Sequence, residues 1–352
     1  MPKIFTIQGS YPFCFYVRCY LPAIYSGQMT VSEFLRKDAD ISKARILEKA
    51  NEADIIVFQR PSSKPSYELA RLLQQKGKKI VFDNDDSYSG IPLARLGSEK
   101  QVEIAMELGK NLNDFVKMAD GVTVSTKYLA DEYRKINPNT IVLKNCIDPL
   151  DEFPCKENTT GKFRVGLIGS VTSNDDYNHI KDQLRQLDER GDVTLVIMGV
   201  KYSDGTIMPS MQEDCDFWAS LKNVEWHPVV HVTEYMMTVA NLALDLAIIP
   251  RKEHDFNRAK SNLKFLEMSL LHIPVLAQGF SDGTSPYQGV DEPYLTIVRD
   301  NTQWYNSIIN ILGKYPEYVS LADKAYKYVV ENYSIKTYAP YWRDQIIKLV
   351  NK

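Results

Sequence analysis

Residues 244–277 read LDLAIIPRKEHDFNRAKSNLKFLEMSLLHIPVLA, and this stretch decides the fold. Residues 244–249 and 274–277 are short apolar runs of strand length, whereas residues 262–271 have the apolar spacing of a helix. That spacing is carried by three leucines: Leu263, Leu266 and Leu270. A strand, a helix and a second strand in this order form a βαβ unit, whose two strands are parallel.

The same alternation of short apolar runs and amphipathic helical stretches recurs along the chain. Before residue 148 the predicted strands are 4–7, 55–58, 79–82, 122–125 and 141–143. After residue 161 they are 163–168, 193–198, 244–249, 274–277 and 294–298. Residues 148–161 are mostly polar and contain prolines, so they are interpreted as a linker.

The length of the chain also favours two domains. With 352 residues it is longer than the chain that one hydrophobic core usually organises. We therefore predict an α/β protein with two Rossmann-like, doubly wound parallel-sheet domains facing a cleft. The domains are expected at residues 1–155 and 156–334, with ligands at the carboxyl ends of the strands.

Composition and charge limit the partners and the cellular location expected for this protein. The formal net charge is −3, which disfavours a nucleic-acid partner, because such proteins usually carry a basic excess. Five scattered cysteines have no metal-binding spacing and indicate reduced thiols in a cytoplasmic protein. No apolar run reaches the ~20 residues that span a bilayer, so any membrane contact is expected to be peripheral.

A glycine-containing turn follows the predicted strand 163–168. It contains Gly166, Gly169, Ser170 and Thr172, and a helix is predicted to begin near Asp175. Backbone N–H groups at glycines can approach a phosphate closely, and a helix N-terminus carries a partial positive charge. The alternative is a turn that only closes the strand. The spacing G-x-G-x-x-G is absent, which argues against a nicotinamide-type dinucleotide site.

The segment after strand 244–249 carries a second group of candidate ligand-binding residues. Lys260, Lys264 and Glu267 are spaced i, i+4 and i+7, so we expect them along one flank of a helix capped by Ser261. A diphosphate requires cations, which Arg251 would supplement, and a ribose requires an acceptor for its hydroxyl protons. The alternative is a solvated helix face with Lys–Glu pairs.

Three carboxylates crowd the end of the predicted strand 79–82. Because Asp83, Asp85 and Asp86 repel one another, at least one should have a raised pKa or meet a cation. Asp85 or Asp86 is the candidate to accept a proton from an acceptor hydroxyl or to orient it. A divalent metal held by the D-x-D pair and a polar strand end capping the next helix are the alternatives.

Several of these segments resemble motifs of the GT-B glycosyltransferases. Residues 259–267, AKSNLKFLE, followed by 273–277, IPVLA, resemble the donor-binding pattern K-S-x-x-K-x-x-E before a P-V-(V/L)-A strand. Further segments are similar to other motifs of that family and follow in its order: 119–126, 143–149, 165–170 and 244–250.

The resemblance implies roles for individual residues. Glu267 would hold the ribose hydroxyls of the donor nucleotide, Lys260 would contact the diphosphate, and Ser170 and Thr172 would contact phosphates or sugar. The chain departs from the pattern in two places. Ala259 stands where many retaining relatives have glutamate, and residues 171–177 lack the usual cationic phosphate clamp. The positive charges that bind the diphosphate would then come from among four candidates: Lys260, Lys264, Arg251 and Arg258.

Two further expectations come from the same resemblance. The loop after the first strand, with Arg18 and Pro22 in the family's positions, would hold acceptor or pyrophosphate. The terminal helix, residues 335–352, would cross back onto the first domain, with Pro340 kinking or restarting it.

The resemblance implies a metal-independent glycosyltransferase that moves a hexose-type sugar from a nucleotide sugar, of UDP type, to an acceptor hydroxyl. No other cofactor is expected. The acceptor is open between a saccharide, a lipid-linked sugar and a hydroxymethylated nucleobase of phage DNA. The rival functions are a GT-B-fold nucleotide-sugar epimerase or hydrolase, and a sugar-binding protein without catalysis.

Overall fold

The computed structural model describes residues 1–9, 12–27, 29–31, 39–61, 63–87, 99–149, 155–169, 174–199 and 212–351. The chain forms two compact units. Unit 1 comprises Met1–Asp148, Ala259–Ser261 and Tyr333–Lys352, and unit 2 comprises Pro149–Arg258 and Asn262–Asn332.

Unit 1 contains a parallel sheet with helices between its strands. Its first elements are β1 (Ile4–Gln8), α1 (Pro12–Phe15), a π-helical turn (Tyr16–Tyr20), α2 (Leu21–Ser26), β2 (Met29–Val31), α3 (Ala39–Glu52) and β3 (Ile55–Gln59). There follow α4 (Lys64–Gln75), β4 (Lys79–Asn84), α5 (Glu99–Met118), β5 (Gly121–Val124), α6 (Lys127–Tyr133) and β6 (Thr140–Val142). The described strands are ordered β2-β1-β3-β4-β5-β6. The order reverses between β1 and β3, so the carboxyl ends of these strands flank a topological switch point.

Unit 2 repeats this architecture. It begins with β7 (Phe163–Ile168), α7 (Asn174–Asn178), α8 (Lys181–Arg190), β8 (Val193–Met198), α9 (Gln212–Ala219), β9 (Val224–His227) and α10 (Val232–Asn241). It continues with β10 (Leu246–Ile249), α11 (Asp255–Arg258), α12 (Leu263–Leu270), β11 (Val275–Gln278), β12 (Thr296–Val298), α13 (Trp304–Gly313) and α14 (Tyr315–Tyr333). The described strands are ordered β12-β11-β10-β7-β8-β9, all parallel, with the switch point between β7 and β10.

The predicted fold class is therefore confirmed: both units are doubly wound α/β sheets. The strands are short, mostly buried and unalternated because helices cover both faces of each sheet. The sequence analysis missed β2 and the helices α3, α8, α9 and α10. Strand β2 has only three residues, which is too short for a periodic signal.

The terminal helix α15 (Ile335–Val350) packs on unit 1. Its apolar stripe of Trp342, Ile346 and Leu349 joins a core cluster with Ile4 and Val57 of the sheet. The amide of Asn139 donates to the carbonyl of Leu349 at 2.9 Å. Pro340 lies inside this helix, so the expectation that it restarts the helix is wrong. Pro340 is exposed.

Candidate active-site residues in the two units

The three carboxylates after β4 have different environments. Asp83 is buried and accepts hydrogen bonds from Arg18 at 2.6 and 3.1 Å and from the Thr123 hydroxyl at 2.7 Å. Arg18 is 0% exposed and also donates to Asn145 at 3.1 Å. Arg18 is therefore held inside unit 1 by its partners, and the expectation that its loop holds acceptor or pyrophosphate stays a prediction. Burying its charge requires the Asp83 partner, and this pair fixes the π-helical turn to the sheet.

Asp85 and Asp86 share a different cation, Arg60. The Arg60 guanidinium lies 3.6 Å from Asp85 and 3.1 Å from Asp86. Arg60 follows β3 with a φ of 49°, a left-handed conformation that is uncommon for residues other than glycine. Strained backbone of this kind concentrates at functional sites. The two adjacent strand ends thus bring one guanidinium and two carboxylates together.

Asp85 has the properties of a proton acceptor. Burial raises its pKa, the Arg60 charge opposes that shift, and Asp86 adds to it. The Oδ1 atom of Asp85 makes no hydrogen bond with any residue that the structure describes. The expectation that at least one of the three carboxylates has a raised pKa or meets a cation is confirmed, although burial rather than crowding is the main cause of the raised pKa. A carboxylate of raised pKa is suited to accept a proton near neutral pH.

Lys260 and Ser261 belong to unit 1 rather than to helix α12. Ala259 is buried in the core cluster of unit 1, and its carbonyl accepts from the Thr126 hydroxyl at 3.1 Å. The Lys260 ammonium donates to Asp86, and the Asn145 amide donates to Ser261 Oγ at 2.9 Å.

Two details of the predicted helix are therefore wrong. Helix α12 begins at Leu263, so Lys260 does not share its flank with Lys264 and Glu267. Ser261 does not cap it, since Asn262 occupies the cap position and no side chain closes the helix end. Tertiary packing explains both differences. Ala259 is small and apolar and packs in the core of unit 1, and this packing keeps the neighbouring residues out of the helix.

Helix α12 carries a buried carboxylate in unit 2. Glu267 is 8% exposed, and its Oε2 atom accepts from Lys264 at 2.7 Å and from the Tyr235 hydroxyl of α10 at 3.0 Å. Burial and the Glu267 charge raise the pKa of Tyr235, so its phenol remains a donor. The Oε1 atom makes no hydrogen bond with a described residue. A charged acceptor with one oxygen held and the other open is suited to a pair of ligand hydroxyls.

Arg251 is the candidate cation at the end of β10. It donates to the buried Asp176 at 2.9 Å, while its Nε atom is buried and has no partner among the described residues. Burial alone would lower its pKa, but Tyr287 and Asp176 raise it, so the guanidinium stays charged. Arg258 is instead bound to Glu253 at 2.8 Å and to Asp282 at 3.0 Å. Of the two arginines, Arg251 retains a buried donor for an anion.

The glycine turn after β7 is described only in part. The N–H of Gly169 donates to the carbonyl of Met198 at 3.1 Å, so this group does not point at a phosphate. A Cβ atom at Gly166 would lie 2.4 Å from Leu244, so that glycine is required for packing. Ser170 and Thr172 lie outside the described residues.

An open cavity of about 630 Å³ lies at the carboxyl edge of unit 2. Its lining residues lie at or just after the ends of β10, β11 and β12: Arg251, Lys252, Glu253, Gln278, Gly279, Phe280, Arg299, Asp300 and Asn301. The sequence analysis missed Arg299 and Asn301. Their position directly after a strand was the available signal, because ligands bind where strands of such sheets end.

Three further observations concern a histidine, possible metal ligands and possible membrane-spanning helices. His227 is bound to Glu225 at 2.7 Å. Across the described ranges, no group of three or more histidines, cysteines, aspartates and glutamates is arranged to hold a metal ion. Within the same part of the chain, no helix combines the length and apolar character required to cross a bilayer.

The fold is shared with solved glycosyltransferases of the GT-B class. HepE of Anabaena in complex with UDP-glucose is 13% identical, with 100% of both chains covered and a TM-score of 0.65. Sucrose-phosphate synthase of Thermosynechococcus elongatus is 12% identical, with 99% of both chains covered and a TM-score of 0.70. An α-glucosyltransferase in complex with UDP-glucose and DNA containing an abasic site is 12% identical, with 99% of both chains covered and a TM-score of 0.66.

No protein-family model and no curated protein matches the chain. The structural likeness extends over both units and establishes the GT-B fold.

Proposed function

We propose that this protein is a glycosyltransferase that moves a hexose-type sugar from a nucleotide sugar of UDP type to an acceptor hydroxyl. The observation that carries the proposal is the buried Glu267 carboxylate, with one oxygen held by Lys264 and Tyr235 and the other without a described partner. A ribose presents two adjacent hydroxyl donors, which a carboxylate binds strongly when water is excluded. The HepE structures that share this fold hold UDP or UDP-glucose.

Cations in unit 2 would bind the diphosphate. Lys264 lies beside Glu267, and Arg251 has a buried Nε–H without a described partner. A charged guanidinium and an ammonium neutralise phosphate oxygens without a metal ion, so we propose metal-independent transfer. Ser170 and Thr172 remain proposed phosphate or sugar contacts on the strength of the sequence alone.

The residues of unit 1 would act on the acceptor and the leaving group. Asp85 would accept the proton of the acceptor hydroxyl, because a carboxylate with a raised pKa is a stronger base than an ordinary aspartate. Asp86 would orient the same hydroxyl. Lys260 would stabilise the charge that develops on the departing diphosphate.

The acceptor classes we propose are a saccharide and a lipid-linked sugar. The net charge of −3 disfavours a DNA acceptor, because binding the phosphate backbone requires cations.

A panel of nucleotide sugars, each with and without candidate acceptors, tests the proposal by measuring released nucleotide and glycosylated product. Acceptor-dependent release with product is the expected result. Release of nucleotide without glycosylated product would indicate a hydrolase. Conversion of the donor sugar without release of nucleotide would indicate an epimerase. Binding of the donor without release or conversion would indicate a non-catalytic protein. Glycosylated DNA in the same panel would contradict the proposed acceptor class. Glu267→Gln serves as the reference with weakened donor binding.

A further inference from the structure

Asp176 joins the ends of two neighbouring strands at the switch point of unit 2. It lies on α7, which follows β7, and it is 1% exposed. Its Oδ2 atom accepts a hydrogen bond from Nη1 of Arg251 at 2.9 Å, and Arg251 follows β10, the neighbour of β7 in the sheet. Ligands of doubly wound sheets bind where the order of the strands reverses. The Asp176–Arg251 ion pair therefore spans the place at which a ligand is expected.

The other carboxylate oxygen of Asp176 holds the loop that follows β10. Its Oδ1 atom accepts from the backbone N–H of Lys252 at 3.1 Å and from Nδ2 of Asn257 at 2.7 Å. The same Nδ2 atom donates to the carbonyl of Lys252 at 2.9 Å. One oxygen of Asp176 thus shapes the loop, and the other oxygen holds the guanidinium of Arg251.

Stability alone does not account for the Asp176–Arg251 pair. Taking two charges out of water can cost as much free energy as their attraction returns, and apolar residues of similar size often stabilise a fold as well. A guanidinium is planar and rigid, so an acceptor that holds Nη1 also fixes the direction of the Nε–H bond. The Nε atom of Arg251 is buried and has no partner among the described residues. The pair therefore gives Arg251 an oriented donor for an anion.

The guanidinium held by Asp176 lies near the proposed ribose site and beside open space. Burial raises the pKa of Tyr287, the Arg251 charge opposes that shift, and the charges of Asp176 and Glu267 add to it. Tyr287 is thus within electrostatic range of both Arg251 and Glu267. Arg251 also lines the cavity of about 630 Å³ at the carboxyl edge of unit 2, so a ligand has access to this side chain.

We propose that Asp176 is a positioning residue, which aims the Arg251 guanidinium at the diphosphate of the bound donor. Asp176 acts through Arg251 rather than on the ligand itself. A donor that places its ribose on Glu267 carries its phosphates towards Arg251. A guanidinium that is already oriented loses less conformational freedom on binding, so it binds the diphosphate more tightly. This inference rests on the proposed function, in which Arg251 contacts the diphosphate.

The affinities of the protein for UDP and for uridine test the inference, since only UDP carries a diphosphate. In Asp176→Asn the amide oxygen can replace Oδ1 in the loop, whereas the NH2 group takes the place of Oδ2 and cannot accept from Arg251. Ligand-observed NMR titration should show that this variant binds UDP about tenfold more weakly or worse, and uridine as the wild type does. When Arg251→Met is already present, Asp176→Asn should change the UDP affinity less than about twofold.

Asn257→Ser is the matched control, because it breaks a loop contact of Asp176 and leaves the contact with Arg251. It should lower the unfolding temperature but keep the ratio of UDP affinity to uridine affinity. Asp176→Glu provides a second variant in case Asp176→Asn does not fold. It retains the charge but displaces the guanidinium, so it should lower the same ratio at least about threefold.

Three results would overturn the inference: a wild-type ratio of affinities in Asp176→Asn or, if that variant does not fold, in Asp176→Glu; an equal loss of the ratio in Asn257→Ser; or an equal effect of Asp176→Asn with and without Arg251→Met. Each of these results, obtained with a wild type that binds UDP and uridine, leaves the proposed function standing. A wild type that binds neither UDP nor uridine would contradict the proposed function and this inference together.

Discussion

The Lys264 ammonium lies 2.7 Å from Oε2 of Glu267, one helical turn further along α12. This ion pair is largely shielded from water, and the Tyr235 hydroxyl lies within hydrogen-bond distance of both groups, at 2.6 Å from Lys264 and 3.0 Å from Glu267. The pair occupies Oε2 of Glu267 and leaves only the other carboxylate oxygen open. Removal of the whole carboxylate would leave Lys264 and Tyr235 without their partner, so Glu267→Gln, which preserves the shape of the side chain, is the substitution that reports on ligand binding.

Lys260→Ala is expected to lower turnover more than donor affinity. The leaving diphosphate gains charge as the glycosidic bond breaks, so a nearby cation stabilises the transition state more than the ground state. We expect kcat to fall about 100-fold or more and the donor dissociation constant to rise less than about tenfold. Lys127→Ala, which removes an exposed lysine of the same unit, should leave both unchanged. Equal losses in kcat and affinity would mean that Lys260 only holds the donor.

Asp85→Asn is expected to stabilise the fold at neutral pH while abolishing most of the activity. Burial raises the pKa of Asp85 in the folded state, so the folded state binds its proton more tightly than the unfolded state does. As the pH rises from the ordinary aspartate value near 4 to the raised value, ionisation of Asp85 increasingly destabilises the folded protein. The advantage of Asp85→Asn in thermal unfolding should grow across that window and then stay constant, while kcat falls about 100-fold.

Asp131→Asn is the control for Asp85, because hydrogen bonding by the exposed Lys127 lowers the pKa of Asp131. Its effect on stability should have the opposite sign and be small. An Asp85→Asn protein that is less stable than the wild type at pH 7 would refute the assignment of Asp85 as a carboxylate whose pKa is raised by burial.

Arg18→Met is expected to destabilise unit 1 by about 3–5 kcal/mol, because it leaves the Asp83 carboxylate buried without its cation. Arg18→Met/Asp83→Met should recover much of that loss, since a buried ion pair can be replaced by apolar groups of similar size. Chemical denaturation of both variants measures the difference, with the exposed Arg134→Met as control. If Arg18→Met were as stable as the wild type but lost acceptor binding, Arg18 would be a ligand-binding residue after all.

The sequence predicted the parallel strands well because they are short apolar runs bounded by polar or glycine residues. Strands β7 and β8 begin and end at the residues predicted from their apolar runs. The environment of Arg18 was not predictable, because its partner Asp83 is 65 residues away and only the folded sheet brings the two together. The prediction for Lys260 was wrong for the same reason. Helical spacing places Lys260 on the same flank as Lys264 and Glu267, but the packing of Ala259 in unit 1 keeps Lys260 out of that helix.

The sequence predicted which types of residue form the candidate site, but only the structure shows how these residues are arranged. Crowding of Asp83, Asp85 and Asp86 predicts that these carboxylates need partners, but it cannot tell which one receives Arg18 and which one retains a raised pKa. The Tyr235 contact with Glu267 could not be anticipated either, because the two residues lie 32 positions apart in the chain and only the folded unit brings them together.

The affinity of Glu267→Gln for UDP-glucose and related nucleotide sugars tests the central claim most directly. Isothermal titration of the wild type, Glu267→Gln and the exposed control Glu234→Gln on α10 should show micromolar to millimolar donor binding by the wild type and the control. Glu267→Gln should bind ten- to a hundredfold more weakly, because it loses charge-assisted hydrogen bonds of about 1.5–3 kcal/mol, with unfolding at nearly the same temperature. Unchanged affinity of Glu267→Gln for every nucleotide sugar that the wild type binds would contradict the account.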